Sequence, residues 1–147
     1  MIAVDVNILV SAFHEGAGDH AEMKAWLEHT VTHESVGVSN AVLIGSLRVL
    51  THPRVFDPPA PLEEALRVLD DFVAQPNVEI LETLEGQWEQ VGILCRAADA
   101  RGNLVADAGH AAHAMQHGAV FVTNDHDYSR FPGLNWRTPE KPQNGRP

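Results

Sequence analysis

Four aspartates stand where a hard metal ion could be held. Asp5 interrupts the apolar run MIAVDV. Asp125 and Asp127 follow directly on the apolar run AVFVT, in the segment TNDHD. Asp107 falls at the first turn of the helix predicted over GNLVADAGHAAHAMQHG. A buried, unpaired carboxylate is costly, so a metal or a basic group is expected beside Asp5. Taken singly, the others have structural readings. A carboxylate at a helix start gains ~0.3–1 kcal/mol from the helix dipole, and Asp is a common turn residue. Three such places at the mouth of one sheet point instead to a shared site, since clustered oxygen ligands suit Mg²⁺-like ions.

The histidines offer a competing metal. His110, His113 and His117 recur at i, i+3 and i+7, on one helix face, and three imidazoles can bind Zn²⁺. No cysteine lies near them in sequence, and His117 has an ordinary use near a helix C-terminus. They read more simply as surface or core histidines. Cys95 has no neighbouring His or Lys to mark a reactive thiolate. No G-x-S-x-G, P-loop or G-x-G-x-x-G occurs.

The elements that must position these groups alternate between strand and helix. Ile2–Val6, Ser35–Val38, Val78–Leu81 and Ala119–Thr123 read as strands. Helices are predicted over His20–Val31 with Asp19 as cap, and over Asn40–Leu50 with Ser39 as cap. A loop over Thr51–Pro61, rich in proline, leads into a helix begun by Pro61, with Leu62, Leu66, Leu69 and Val73 inward. A helix over Gly86–Ala100, ending at Gly102, turns Trp88, Val91, Leu94 and Cys95 inward, and another spans Ala106–His117, stopped by Gly118. This alternation implies an α/β domain with a mostly parallel sheet between helical layers. In such sheets ligands bind outside the carboxyl ends of the strands, where Asp5 and Asp125 fall. Thr138–Pro147 is expected to be an extended or mobile tail.

The whole-chain numbers narrow the class. At 147 residues, 44% hydrophobic and 20% charged, the chain suits one globular domain, over about 1–138. It has no apolar run long enough for a membrane helix. MIAVDVNILV lacks a basic leader and a single cysteine gives no internal disulfide, so a cytoplasmic location is expected. Net charge is −10. Proteins that hold nucleic acid by neutralising phosphates are usually basic. Either nucleic acid is not the ligand, or a metal and a few local bases do the neutralising. The acidity also suits a basic protein partner.

The segments DVN at 5–7, SNAVLIGSLRVLTHPRVF at 39–56, GNLVADAGHAAHAMQHGA at 102–119 and VTNDHDYSRFPGL at 122–134 together resemble the PIN-domain ribonucleases, and among them the VapC-type toxins of VapBC toxin–antitoxin modules. The likeness covers about residues 1–138. It implies a three-layer α/β/α fold and a Mg²⁺- or Mn²⁺-dependent endoribonuclease. By motif, Asp5, Asp107 and Asp125 match the metal-binding acids and Asp127 the additional acid of the catalytic set. Asn7 and Thr123 match supporting polar positions. The resemblance further implies a VapB-type antitoxin and a homodimer. One position departs from it: Gly45 stands where such proteins usually carry a glutamate. Asn40 stands where some relatives carry an acid instead, and an amide oxygen brings a ligand but no charge. Weaker metal binding is therefore expected.

Such a site would hydrolyse RNA by metal-activated water, leaving 5′-phosphate and 3′-hydroxyl ends. Arg48, Arg54, Arg130 and Arg137 are candidates to position the strand, Arg48 and Arg130 foremost. Two other classes stay open. One is a catalytically inactive PIN scaffold that binds RNA or protein. The other is a phosphatase of small phosphate esters, although residues 5–7 read Asp-Val-Asn, not the D-x-D of aspartyl phosphatases.

Overall fold

A computed structural model describes residues 1–140. In chain order the elements are β1 (Ile2–Val4), α1 (Val6–Phe13), α2 (His20–His33), β2 (Val36–Ser39), α3 (Asn40–Leu50), α4 (Leu62–Val73), β3 (Val78–Leu81), α5 (Gln87–Ala98), α6 (Asn103–Gln116), β4 (Val120–Val122), a 3₁₀ turn (His126–Arg130) and β5 (Trp136–Arg137). The strands form one sheet in the order β3-β2-β1-β4-β5, and every neighbouring pair is parallel. The most apolar strand is therefore central, as burial on both faces demands.

Strand alternation divides the interior into two cores. Ile2, Val4, Val36, Val38 and Val122 pack on one face against α1, α2, α3 and α4. Ala3, Leu81 and Phe121 pack on the other against α5 and α6. This is the three-layer α/β/α arrangement. Among the described residues, no helix is long and apolar enough to cross a membrane.

Ser39 caps α3 as expected, its Oγ accepting from the Val42 amide at 3.2 Å. Asp19 sits at the cap of α2 without making a side-chain cap bond. Gly118, at φ 62°, ends α6 in the left-handed region that favours glycine.

Several sequence expectations are corrected. The strand predicted over Ile2–Val6 stops at Val4, Asp5 is a cap, and the eight residues Val6–Phe13 are helix α1. Almost every residue of IAVDVNILV is apolar, so periodicity could not divide strand from helix there. The α4 face that packs inward is Ala65, Leu69 and Phe72. Leu62, at 55% exposed, lies off it, and Leu66 and Val73 are only half-buried. Trp88, read as inward, is 83% exposed at the start of α5. The end of α5 comes earlier than expected: Asp99 takes the left-handed cap, and Gly102 leads into α6. The segment expected to be a tail begins just after β5, a strand the sequence did not reveal, and its residues 141–147 lie outside the described ones.

Candidate metal and active site

Parallel strands bring their carboxyl ends to one edge, and a groove of about 1260 Å³ opens there. Asp5, just past β1, lines it with Asn40 at the start of α3, Leu81 at the end of β3, Glu82 and Thr83 just past that strand, and Asp125 past β4. Helix α6 forms another wall with Asp107, His110 and His113. Val6, Gly45, Arg48 and Phe56 face the same space.

Asp5 is the fixed point. It is 4% exposed and caps α1, its Oδ1 accepting from the Val6 amide at 2.7 Å. Its Oδ2 accepts from Thr123 Oγ1 at 2.7 Å and Asn7 Nδ2 at 3.0 Å. Thr123 Oγ1 in turn accepts from Asn7 Nδ2 and from the Asp125 amide, each at 3.0 Å. Asn7 Oδ1 accepts from the Asn124 amide at 3.1 Å. The end of β1 is thus tied to the turn after β4 through two polar side chains. Asn7 and Thr123 orient the carboxylates, and Thr123 is itself buried behind them.

Tyr128 joins the second acid to the first. Its fully buried hydroxyl lies 3.3 Å from Asp5 Oδ1 and 3.2 Å from Asp107 Oδ1. One phenolic hydrogen cannot serve both carboxylates fully. Burial, above all, pushes the phenol's pKa up, with the two carboxylate charges adding to it, so it stays a donor. Sequence reasoning passed over Tyr128, because an aromatic after a turn gives no sign that it reaches back to acids 123 and 21 residues earlier.

The electrostatics follow from burial. Asp5 is raised above its ordinary value by burial, against the pull of its hydrogen bonds and His110. Asp107 is pushed up to about 6, first by burial, then by the charges of Asp5, Asp125 and Asp127, with the Tyr128 bond opposing. Asp107 lies on the second turn of α6, one turn deeper than expected, and no acid occupies the first turn. Its position is thus not that of a helix-start acid.

Asp125 caps the 3₁₀ turn, accepting from the Asp127 amide at 2.9 Å. Asp127 is exposed and acts on Asp107 through its charge. Asn40 lies exposed on the groove, and Gly45 gives that wall no charge. Of the arginines, Arg48 alone lines the groove. Arg130 donates to the Ala98 carbonyl at 2.6 Å, closing the end of α5, and it does not line the groove. Arg137 faces Glu34 and Glu140 at 3.9 and 3.8 Å.

The three-histidine zinc reading is not met. His113 contacts Gln87 at 3.1 Å and Thr83 at 3.5 Å, and His117 bonds the Glu82 carbonyl at 2.8 Å. Among the described residues, no three His, Cys, Asp or Glu side chains form a ready-made cage. The chemistry of the donor set nevertheless fits a hard divalent ion. Asp5, Asp107 and Asp125 face one groove, with Glu82 also on its lining, and the carboxylate repulsion that adds to burial in lifting Asp107 is what such an ion would relieve.

A family model described as the PIN domain matches residues 2–134. Ribonuclease VapC43 of Mycobacterium tuberculosis is 36% identical over 140 residues, 95% of each chain. Ribonuclease VapC33 of the same organism is 31% identical over 141 residues, 95% of this chain and 98% of that one. Two crystal structures share the fold. VapBC2 of Rickettsia felis, bound to promoter DNA, superimposes with TM-score 0.69 at 23% identity, over 94% of this chain and 98% of that one. VapC20 of M. tuberculosis, a sarcin-ricin-loop-cleaving toxin, gives 0.69 at 18% identity, over 88% and 93%.

Proposed function

The chain belongs to the PIN-domain family, and from that membership we propose that it is a VapC-type endoribonuclease toxin, dependent on Mg²⁺ or Mn²⁺. The observation that carries this is the groove. Asp5, Asp107 and Asp125, from three separate elements, face one space at the carboxyl edge of the sheet. The relatives named ribonucleases match nearly the whole chain, which supports RNA as substrate.

In this reading Asp5, Asp107 and Asp125 hold the ion. When bound, the ion supplies an activated water and a sink for charge on the departing oxygen. The protein's own part is positional. Thr123, Asn7 and the Val6 amide fix Asp5, and Tyr128 sets Asp107 against it. Arg48 meets a phosphate on the α3 wall. Cleavage leaves 5′-phosphate and 3′-hydroxyl ends. The partner is a VapB-type antitoxin with a basic segment to enter the acidic groove, and the toxin is a homodimer.

One observation favours a second reading, a catalytically inactive PIN scaffold that binds RNA or protein. The α3 wall offers Asn40 and Gly45 where a further carboxylate would strengthen metal binding. The test uses purified protein, total cellular RNA and Mn²⁺ or Mg²⁺, beside Asp5→Asn and a chelator control, with new 5′ ends mapped by sequencing. Discrete 5′-phosphate cuts, lost in the variant and with chelator, are expected. Cyclic 2′,3′-phosphate ends would exclude metal-activated water. A folded protein that cuts no more than Asp5→Asn would leave the scaffold.

A further inference from the structure

The α6 wall of the groove carries a group that the proposed reaction has not used. His110 stands one turn after Asp107, and residues three apart share a helix face. Both line the groove with Asp5. The His110 Nδ1 is enclosed by protein and has no hydrogen-bond partner. An enclosed polar atom left unpaired costs ~1–3 kcal/mol, so a partner is expected in the working state. The other two histidines of this face already have theirs: His113 contacts Gln87 and Thr83, and His117 the Glu82 carbonyl.

The opposite wall explains what such a partner would do. Asp5, Glu82, Asp107 and Asp125 line the groove, while the polar positions of α3 there are the neutral Asn40, the bare backbone of Gly45 and the cationic Arg48, none of which is an anionic ligand. A Cβ at position 45 would come within 3.0 Å of Val6 Cγ2, so this wall has little room for a side chain without adjustment. An added donor is therefore sterically easier to provide from α6 than from α3.

Resting on the metal reading above, we infer that His110 is a nitrogen ligand of the divalent ion held by Asp5 and Asp107. It supplies the donor that α3 does not, and it biases the site towards Mn²⁺ over Mg²⁺. Imidazole suits borderline transition ions, whereas Mg²⁺ strongly prefers oxygen. No three candidate ligands form a ready-made cage among the described residues. Asp5, held by its hydrogen bonds, would then be the fixed ligand, with Asp107 and His110 as its companions.

The test is binding and spectroscopy on the full chain. Isothermal titration with Mn²⁺ and with Mg²⁺ would compare wild type, His110→Ala and Asp5→Asn. His110→Ala is expected to weaken Mn²⁺ by about tenfold or more, since even outer-shell partners are worth that much, and to weaken Mg²⁺ by less. Pulsed electron paramagnetic resonance of Mn²⁺-loaded wild type is expected to show coupling to an imidazole nitrogen. That measurement needs no variant to fold. Asp5-dependent Mn²⁺ binding without nitrogen coupling would overturn the inference and leave the proposed function standing. An equal loss of both ions in His110→Ala would overturn the bias towards Mn²⁺. No Asp5-dependent binding of either ion would remove the metal reading and this inference with it.

Discussion

At the residue scale, the site is built around acids that resist ionisation. Asp107 titrates near 6 in the folded chain against an ordinary value of 3.8. A folded value above the unfolded one means that the native state holds the proton more tightly. The stability this contributes is complete below about 3.8 and is lost as pH rises through about 6. Metal-free Asp107→Asn is therefore expected to lose much of its pH dependence across that window. At pH 7 it should melt a few degrees above wild type, the size of shift that ~1–2 kcal/mol gives a chain of this length. It should also lose most of its stabilisation by Mn²⁺. Thermal melts from pH 3.5 to 8, with and without Mn²⁺, measure all three. Tyr128→Phe removes the hydrogen bond that holds Asp107 down, so it should move the window upward. It should also cost about 1–3 kcal/mol in urea denaturation, because Asp5 and Asp107 lose the donor they share. The carboxylates were legible in the sequence because acids beside apolar runs are conspicuous. Tyr128 and His110 were not, because their significance lies in which distant acids they face.

At the element scale, the helices differ in how plainly their sequences announce them. Ser39 and its apolar repeat mark α3, and Gly118 ends α6, since a cap and a left-handed turn are local chemistry. Helix α1 was hidden because Asp5 serves at once as strand end, helix cap and site residue. Strand β5 has two residues, too few for any periodicity, and it exists through pairing with β4. Trp88 misled because it falls at helical spacing with Val91, Leu94 and Cys95, whereas packing left it exposed at the helix start. Two substitutions test the division of labour between elements. Gly45→Glu on α3 should add a carboxylate to the groove, lowering metal-free stability through repulsion and crowding of Val6. It should increase the rise in melting temperature produced by Mg²⁺, and a variant with no larger Mg²⁺ response would remove α3 from the site. Arg130→Ala should cost about 1 kcal/mol by freeing the Ala98 carbonyl, while RNA cleavage per folded molecule stays at the wild-type level. Arg48→Ala should do the reverse. Parallel denaturation and cleavage assays separate the two.

At the scale of the whole molecule, a net charge of −10 has to be reconciled with the polyanionic substrate of the proposed reaction. Each phosphate neutralised by a protein cation releases counterions, and for single strands the logarithm of affinity falls by about 0.7 per such contact for each decade of salt. The groove presents one arginine, Arg48. If one or two cations meet the RNA, raising salt from about 50 to 200 mM should weaken binding by less than about tenfold, where a basic RNA-binding protein loses far more. In the proposed reading a divalent ion carries the rest of the neutralisation, so omitting it should weaken binding more than that whole range of salt does. Fluorescence anisotropy with labelled single-stranded RNA can follow both at once. Wild type with a non-cleavable backbone is the form to use, because Asp5→Asn would alter the site being measured. A loss of a thousandfold over the same range would mean that a basic track, not the groove and its ion, carries the RNA. Affinity indifferent to the ion would detach RNA binding from the aspartates altogether.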